Sequence, residues 1–262
     1  MINDQRVSGF AIFTVILLLA IVSLISIAMA NLYLTNTRAT GLDVQRLKAQ
    51  HLLDSGVRFA ALSLASPRTK LSASAIPSER IIYRSPEADV VVEIQNEAGF
   101  IGLLQAHKEL LRPALLASGA LPQDVAAIVE SIQSLKKQNA APSYRKLRRL
   151  LRSSSIDMPA LLSVATLHNG QSGVHPRVAS ADVLSLVPKL SKAQRERLLA
   201  TRNGRSQSLI SNPVSNDFFS STISAYYRVF TSVELEGQLY TRIEVIKMIN
   251  QRGRLYELQA IL

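Results

Sequence analysis

The chain has 262 residues, 30 Lys and Arg against 19 Asp and Glu, and a formal charge of +11. It has no Cys, which excludes disulfides and thiolate metal sites. That length holds one membrane segment and one or two soluble domains, and the positive balance suggests nucleic acid or an anionic surface without choosing between them.

No charged residue stands between Arg6 and Arg38. The apolar run over residues 8–34 exceeds the roughly 20 residues that cross a bilayer as a helix. A helix this long with no polar face is out of place in the core of a small chain. Three readings fit the run. A cleaved secretory signal would have an apolar region of about 7–15 residues, and its exit here would be Ala28-Met29-Ala30. A plain membrane anchor is the second. The third is a type IV pilin-like signal, in which a short polar leader ends in Gly and is cut on the cytoplasmic side. The leader would then be residues 1–9, with Arg6 as its basic residue. Gly9 would offer the peptidase an unobstructed extended backbone, and Phe10 would become the new N-terminus.

The helix is expected to continue beyond the apolar run. Val44, Leu47, Leu53, Val57, Ala60, Ala61 and Leu64 recur at helical spacing among polar residues. An all-apolar half followed by an amphipathic half describes a helix that leaves a membrane and packs on a globular domain. The expected bounds are 10–66, with 10–34 in the membrane. Pro67 ends it by pushing Ser66 out of the helical region.

Two strands are predicted next, over 80–84 and over 89–95, the second rich in β-branched residues. Asn96-Glu97-Ala98-Gly99 is a turn signal. Helices are predicted over 104–117, 122–137 and 144–152, then over 179–187 and 191–201. Pro122 and Asp124 suit a first turn, Ser191 suits an N-cap, and Gly204 closes the region. The period then changes to two. Strands over 224–235, 238–249 and 255–262, joined by Glu236-Gly237 and by the turn at 250–253, form an antiparallel meander. With the two early strands they make one sheet, so the helical block at 101–205 is an insertion between strands. The head is then 67–100 plus 206–262, and the class is α+β.

This order resembles the K-type minor pseudopilins of the bacterial type II (general) secretion pathway, over nearly the whole chain. The Gly9–Phe10 junction looks like a prepilin peptidase site. The stretch VEIQNEAGFIGLLQAHKELLRPALLASGALPQDVAAIVESI, residues 92–132, is similar to the family's strand, turn and first helices. Glu97, Gly99, Ile101 and Leu103 match its acid, glycine and alternating apolar positions, while Leu104 departs from the usual Asn. The stretch SGVHPRVASADVL, residues 172–184, resembles a second family segment, with His175 and Arg177 where Asn is frequent. Leu186-Val187-Pro188 and Leu190 resemble the family's leucine-proline-glycine turn, with Lys189 in place of Gly.

The resemblance implies a pilin-like fold, a long N-terminal helix packed on an antiparallel sheet with a large all-α insertion. It also implies a single-pass protein of the bacterial inner membrane with its head in the periplasm. Most pilin-like subunits carry Glu as the fifth residue of the mature helix, where it neutralises a neighbour's N-terminal amine inside the membrane. Here that residue is Thr14. The K-type family also lacks the Glu and is placed at the filament tip, so Thr14 marks a subunit with nothing above it. Implied partners are prepilin peptidase and the I- and J-type minor pseudopilins, in a tip complex that promotes export of folded proteins. A plainer reading takes Thr14 as a tolerated hydroxyl in a membrane helix.

Two rivals remain. Residues 184–190 look like a degraded helix-hairpin-helix, and a basic run lies upstream at Lys136, Lys137, Arg145, Lys146, Arg148, Arg149 and Arg152, with no acid between Glu130 and Asp157. A membrane-anchored DNA-binding protein would use both. The bland reading of the run is a solvated helix face, and the membrane segment argues for protein contacts over nucleic acid. A type IV pilus minor pilin is the nearer rival, set apart by the size of the insertion. No catalytic or nucleotide-binding motif occurs, so the chain is read as non-enzymatic and requiring no cofactor. The family can bind calcium in the inserted region. There is no Asp-x-Asp run here, and Asp157, Asp182 and Asp217 are the weak candidates for a metal.

Overall fold

The computed structural model describes residues 4–66, 79–137, 143–202, 217–251 and 254–262. Helix α1 runs from Asp4 to Ala65. The chain divides into two compact units, Met1–His51 and Leu52–Leu262.

The first unit is the greater part of α1. From Ile12 to Leu34 its large apolar side chains are exposed, from 50% for Ile21 to 70% for Leu24. Apolar surface of that extent needs a partner or a bilayer. Ser26 and Thr35 donate their hydroxyls to the carbonyls of Val22 and Asn31, at 2.9 and 2.8 Å, so the few polar groups are satisfied within the helix. By length and composition this is one helix able to cross a membrane. Residues 4–9 of the expected leader are helical as well. Val44 and Leu47, expected in the packed stripe, are exposed.

In the second unit α1 supplies residues 52–65. Strands β1 (Glu79–Arg84) and β2 (Asp89–Asn96) follow. A 3-10 turn at Glu97–Gly99 leads into β3 (Ile101–Gly102). The helical block then runs through α2 (Lys108–Ala117), α3 (Val125–Lys137), α4 (Tyr144–Leu150) and α5 (Met158–Val164). After β4 (Ala165–Thr166) come α6 (Ala181–Leu186) and α7 (Lys192–Arg202). Strands β5 (Tyr226–Leu235), β6 (Gln238–Gln251) and β7 (Arg254–Ile261) close the chain.

Five strands form one sheet in the order β1-β2-β5-β6-β7, every neighbour antiparallel. The helical block is therefore inserted between adjacent strands β2 and β5. Register pairs Val90 with Val233, Val92 with Thr231 and Ile94 with Val229, which lines up one buried face. Leu53, Val57, Ala60, Ala61 and Leu64 of α1 are buried at helical spacing, each contributing on the order of 1.5–3 kcal/mol where the side chain is large. Gly56 on the same stripe sets the approach, since a Cβ there would stand 3.0 Å from Val90 Cγ1 and 3.1 Å from Thr231 Cγ2. Arg242 of β6 pairs with Asp54 of α1 at 2.6 Å. The Glu236-Gly237 turn takes positive φ at both residues (49° and 79°), the twist-matched form of a two-residue hairpin.

The insertion has its own core, centred on Ile101, Leu110, Leu111, Leu115, Ile132, Leu147, Leu161 and Leu184. Three details differ from expectation. Leu103–Gln105 form a turn instead of the start of α2, because β3 pairs in parallel with β4 and the Leu103 N–H donates to the Thr166 carbonyl at 2.8 Å. Pro122 and Asp124 form a turn before α3, closed by Asp124 N–H to the Leu121 carbonyl at 2.9 Å. Helix α5 is additional, a seven-residue segment too short to show a period. Gly204 and the 67–69 block lie outside the described residues.

Candidate functional site

The two stretches that carry the sequence resemblance meet at the junction between sheet and insertion. Asn96 ends β2, and its carboxamide holds both ends of the inserted segment. Its Oδ1 accepts from Ala98 N–H at 2.9 Å and from Ser224 N–H at 3.1 Å, and its Nδ2 donates to the Ser224 carbonyl at 2.8 Å. The His175 N–H donates to the Ala98 carbonyl at 2.7 Å. Gly99 lies against the second stretch so closely that a Cβ would fall 2.4 Å from the Val178 carbonyl oxygen. That approach explains the glycine by contact, since its φ is not in the left-handed region.

Glu97 is fully buried and meets Arg228 of β5, Nε to Oε1 at 2.8 Å. Arg228 also donates to the carbonyls of Leu162 and, at 3.4 Å, Ala165, and its guanidinium carbon lies 3.9 Å from the centre of the Phe100 ring. A buried pair survives desolvation only when its remaining donors are satisfied, and here they are taken by the end of α5 and by β4. Burial, and then the Glu97 charge, push the Tyr144 hydroxyl up to about 12. That hydroxyl shares a hydrogen bond with Thr166 Oγ1 at 3.1 Å. Sequence reasoning picked out Glu97 and Gly99 but not Arg228, which reads as one more residue of an alternating strand.

His175 is buried and its Nδ1 has no hydrogen-bond partner; burial, then the nearby Arg177, lower its pKa. His168 is stacked on Tyr226 at 5.3 Å, and burial lowers its pKa as well. Beside it lies a cleft of about 470 Å³ lined by Leu104, Leu135, Lys136, Ile223 and Tyr226. His168 Nε2 is shut off from solvent and Lys136 is bound to Gln105 Oε1 at 2.6 Å, so among the described residues the cleft presents no free acid–base pair.

The α6–α7 hairpin is present. Lys189 adopts φ 59°, the left-handed conformation that a glycine takes without steric cost. Ser191 and Gln194 form a reciprocal capping box. Ser191 Oγ accepts from Gln194 N–H at 3.2 Å, and Gln194 Oε1 accepts from Ser191 N–H at 2.9 Å. A phosphate-binding hairpin needs its turn N–H groups open, and the Ser191 N–H is occupied.

Helix α4 carries most of the basic run. Leu147 is buried, while Arg145, Lys146, Arg148, Arg149 and, just beyond the helix, Arg152 are exposed. Lys136 stands apart at the cleft, and the Lys137 side chain lies outside the described residues. Asp157 precedes α5, Asp182 is in the first turn of α6, and Asp217 precedes Phe218; all three are exposed. Among the described residues no group of three or more His, Asp or Glu gathers that could hold a metal. Thr14 is exposed on α1. Gly9 and Phe10 lie within that helix, with their side chains outside the described residues.

No protein-family model and no curated protein matches the chain. Among solved structures it is similar to a chain of the GspK-GspI-GspJ complex from the enterotoxigenic Escherichia coli Type 2 Secretion System. The identity is 11% and the TM-score 0.44, over 83% of this chain and 98% of that one. At that distance the likeness assigns neither family nor role.

Proposed function

We propose that the chain is a K-type minor pseudopilin, a non-catalytic subunit that caps the tip of the type II secretion pseudopilus. The observation that carries this reading is the meeting of the two resembling stretches. Glu97–Gly99 and His175–Val178 are far apart in sequence yet share a hydrogen bond and a glycine-limited contact. Two separately resembling stretches that prove to be structural neighbours support the reading more than stretches scattered over a surface would, although His175 and Arg177 themselves stand where Asn is frequent. The placement of the helical block between β2 and β5 supports the same reading over a type IV pilus minor pilin, which usually lacks so large an insertion.

In this reading prepilin peptidase cuts after Gly9, where a helix is weakest. The apolar part of α1 then leaves the bilayer for a bundle with the I- and J-type subunits, exchanging lipid for helix–helix contact. Thr14 brings no carboxylate into that bundle, so the subunit has no group to offer the amine of a neighbour above it. The head remains in the periplasm, anchored through the inner membrane until assembly. The DNA-binding alternative loses ground because the hairpin's Ser191 N–H is already bonded.

Mass spectrometry of the membrane-extracted protein, made with and without prepilin peptidase, tests the proposal. A mature chain beginning at Phe10 only when the peptidase is present is the expected result. An intact N-terminus, or a cut after Ala30, removes it.

A further inference from the structure

We propose that the outward face of α4 docks an acidic segment of a protein partner. This rests on the reading above, in which the head works outside the cytoplasm among other proteins. Arg145, Lys146, Arg148, Arg149 and Arg152 are exposed, and among the described residues none has an acidic partner within 4.0 Å. No acid occurs between Glu130 and Asp157 to temper them.

Arg148 and Arg149 in the last turn suit the helix dipole, but the array still crowds like charges on one short helix. Arg145 and Arg149 are four residues apart, and Arg145–Arg148 and Lys146–Arg149 are three apart, the spacings at which like charges repel across a helix surface. A surface with mixed signs avoids this, and here the face carries one sign only. An anionic partner relieves the repulsion.

The chemistry of the face selects among anionic partners. Four of its five cations are Arg, whose planar fork suits carboxylate or phosphate oxygens in pairs. A bilayer-binding helix pairs its cations with apolar anchors that enter the lipid, but Leu147 and Leu151 are buried in the insertion core. Single-stranded nucleic acid is held by stacking on aromatic rings, and the one nearby aromatic, Tyr144, is turned inward to Thr166. Carboxylates on a neighbouring protein fit what is left.

The test uses the full chain in micelles of an uncharged detergent and a fluorescent poly-glutamate peptide of about twelve residues. Anisotropy should show saturable binding that weakens at least about tenfold between about 50 and 300 mM salt. Arg148→Glu with Arg149→Glu should weaken it at least about tenfold more than Arg58→Glu with Arg254→Glu, a pair with the same charge change elsewhere. If the first pair fails to fold by circular dichroism, Arg148→Gln with Arg149→Gln replaces it. Absence of peptide binding, or equal loss in the two charge-reversed pairs, overturns the proposal. So does tighter binding of duplex DNA or of phosphatidylglycerol vesicles than of the peptide. The cleavage assay reads only the N-terminus, so failure here and failure of the pseudopilin reading are told apart.

Discussion

Arg228 on β5 and Glu97 in the turn after β2 are 131 residues apart in the chain and 2.8 Å apart in space, with side chains 3% and 0% exposed. Removing one partner leaves the other charge buried and uncompensated. Arg228→Met should therefore cost about 3–5 kcal/mol, whereas Glu97→Gln combined with Arg228→Met should recover at least half of the loss. Urea unfolding of the full chain followed by circular dichroism reads both. Equal destabilisation by the single and double changes would mean that packing, not charge, holds the junction.

Gly99 faces backbone, and backbone cannot turn aside. Gly99→Ala should cost about 1–3 kcal/mol by overpacking, because its Cβ would meet the Val178 carbonyl oxygen at 2.4 Å. Gly56→Ala should cost less, since its nearest neighbours are the side-chain methyls of Val90 and Thr231 at 3.0 and 3.1 Å. Melting temperatures of the two variants give the order, and the reverse order would remove the explanation offered for Gly99.

Lys189 occupies a glycine conformation with a side chain attached. Lys189→Gly should raise stability by about 1 kcal/mol, the usual relief of a left-handed residue. A loss of stability would show that the lysine side chain makes a contact worth more than the strain.

His175 supplies a pH dependence whose sign is set by its burial. Its folded pKa lies below the ordinary value of about 6.5, so the unfolded chain takes up the proton first. The stability it contributes is present above about 6.5 and is lost as pH falls through the folded value. His175→Asn, the residue frequent in the resembling family, should lose less stability than the parent between about pH 7.5 and 5. Identical losses would assign the pH dependence to other groups such as His168.

Much of this protein is written locally. The charge-free run before Arg38 is helix by its apolar composition, whatever surrounds it. The alternation through β5, β6 and β7 gives their extent and their antiparallel turns, because a pleated strand repeats every two residues. Ser180 and Ser191 cap α6 and α7 as short polar residues do, using only neighbours three positions away.

Other features depended on which surfaces came together. The start of α2 moved from 104 to Lys108 because β3 found β4, a pairing no local period announces. Val44 and Leu47 share the helical spacing of Leu53 and Val57 but not their burial, since spacing names a face without supplying its partner. Arg228 looked like any polar residue of an alternating strand until Glu97 was placed beside it. The sequence by itself determined the long helix with its apolar length, the five strands of the main sheet and most of the helices between them, because these rest on short-range backbone preferences; α5, β3 and β4 are too short to show a period. Only the tertiary structure decided the Glu97–Arg228 pair, the contact that requires Gly99 and the inward turn of Tyr144, because each needs a residue supplied from a distant part of the chain.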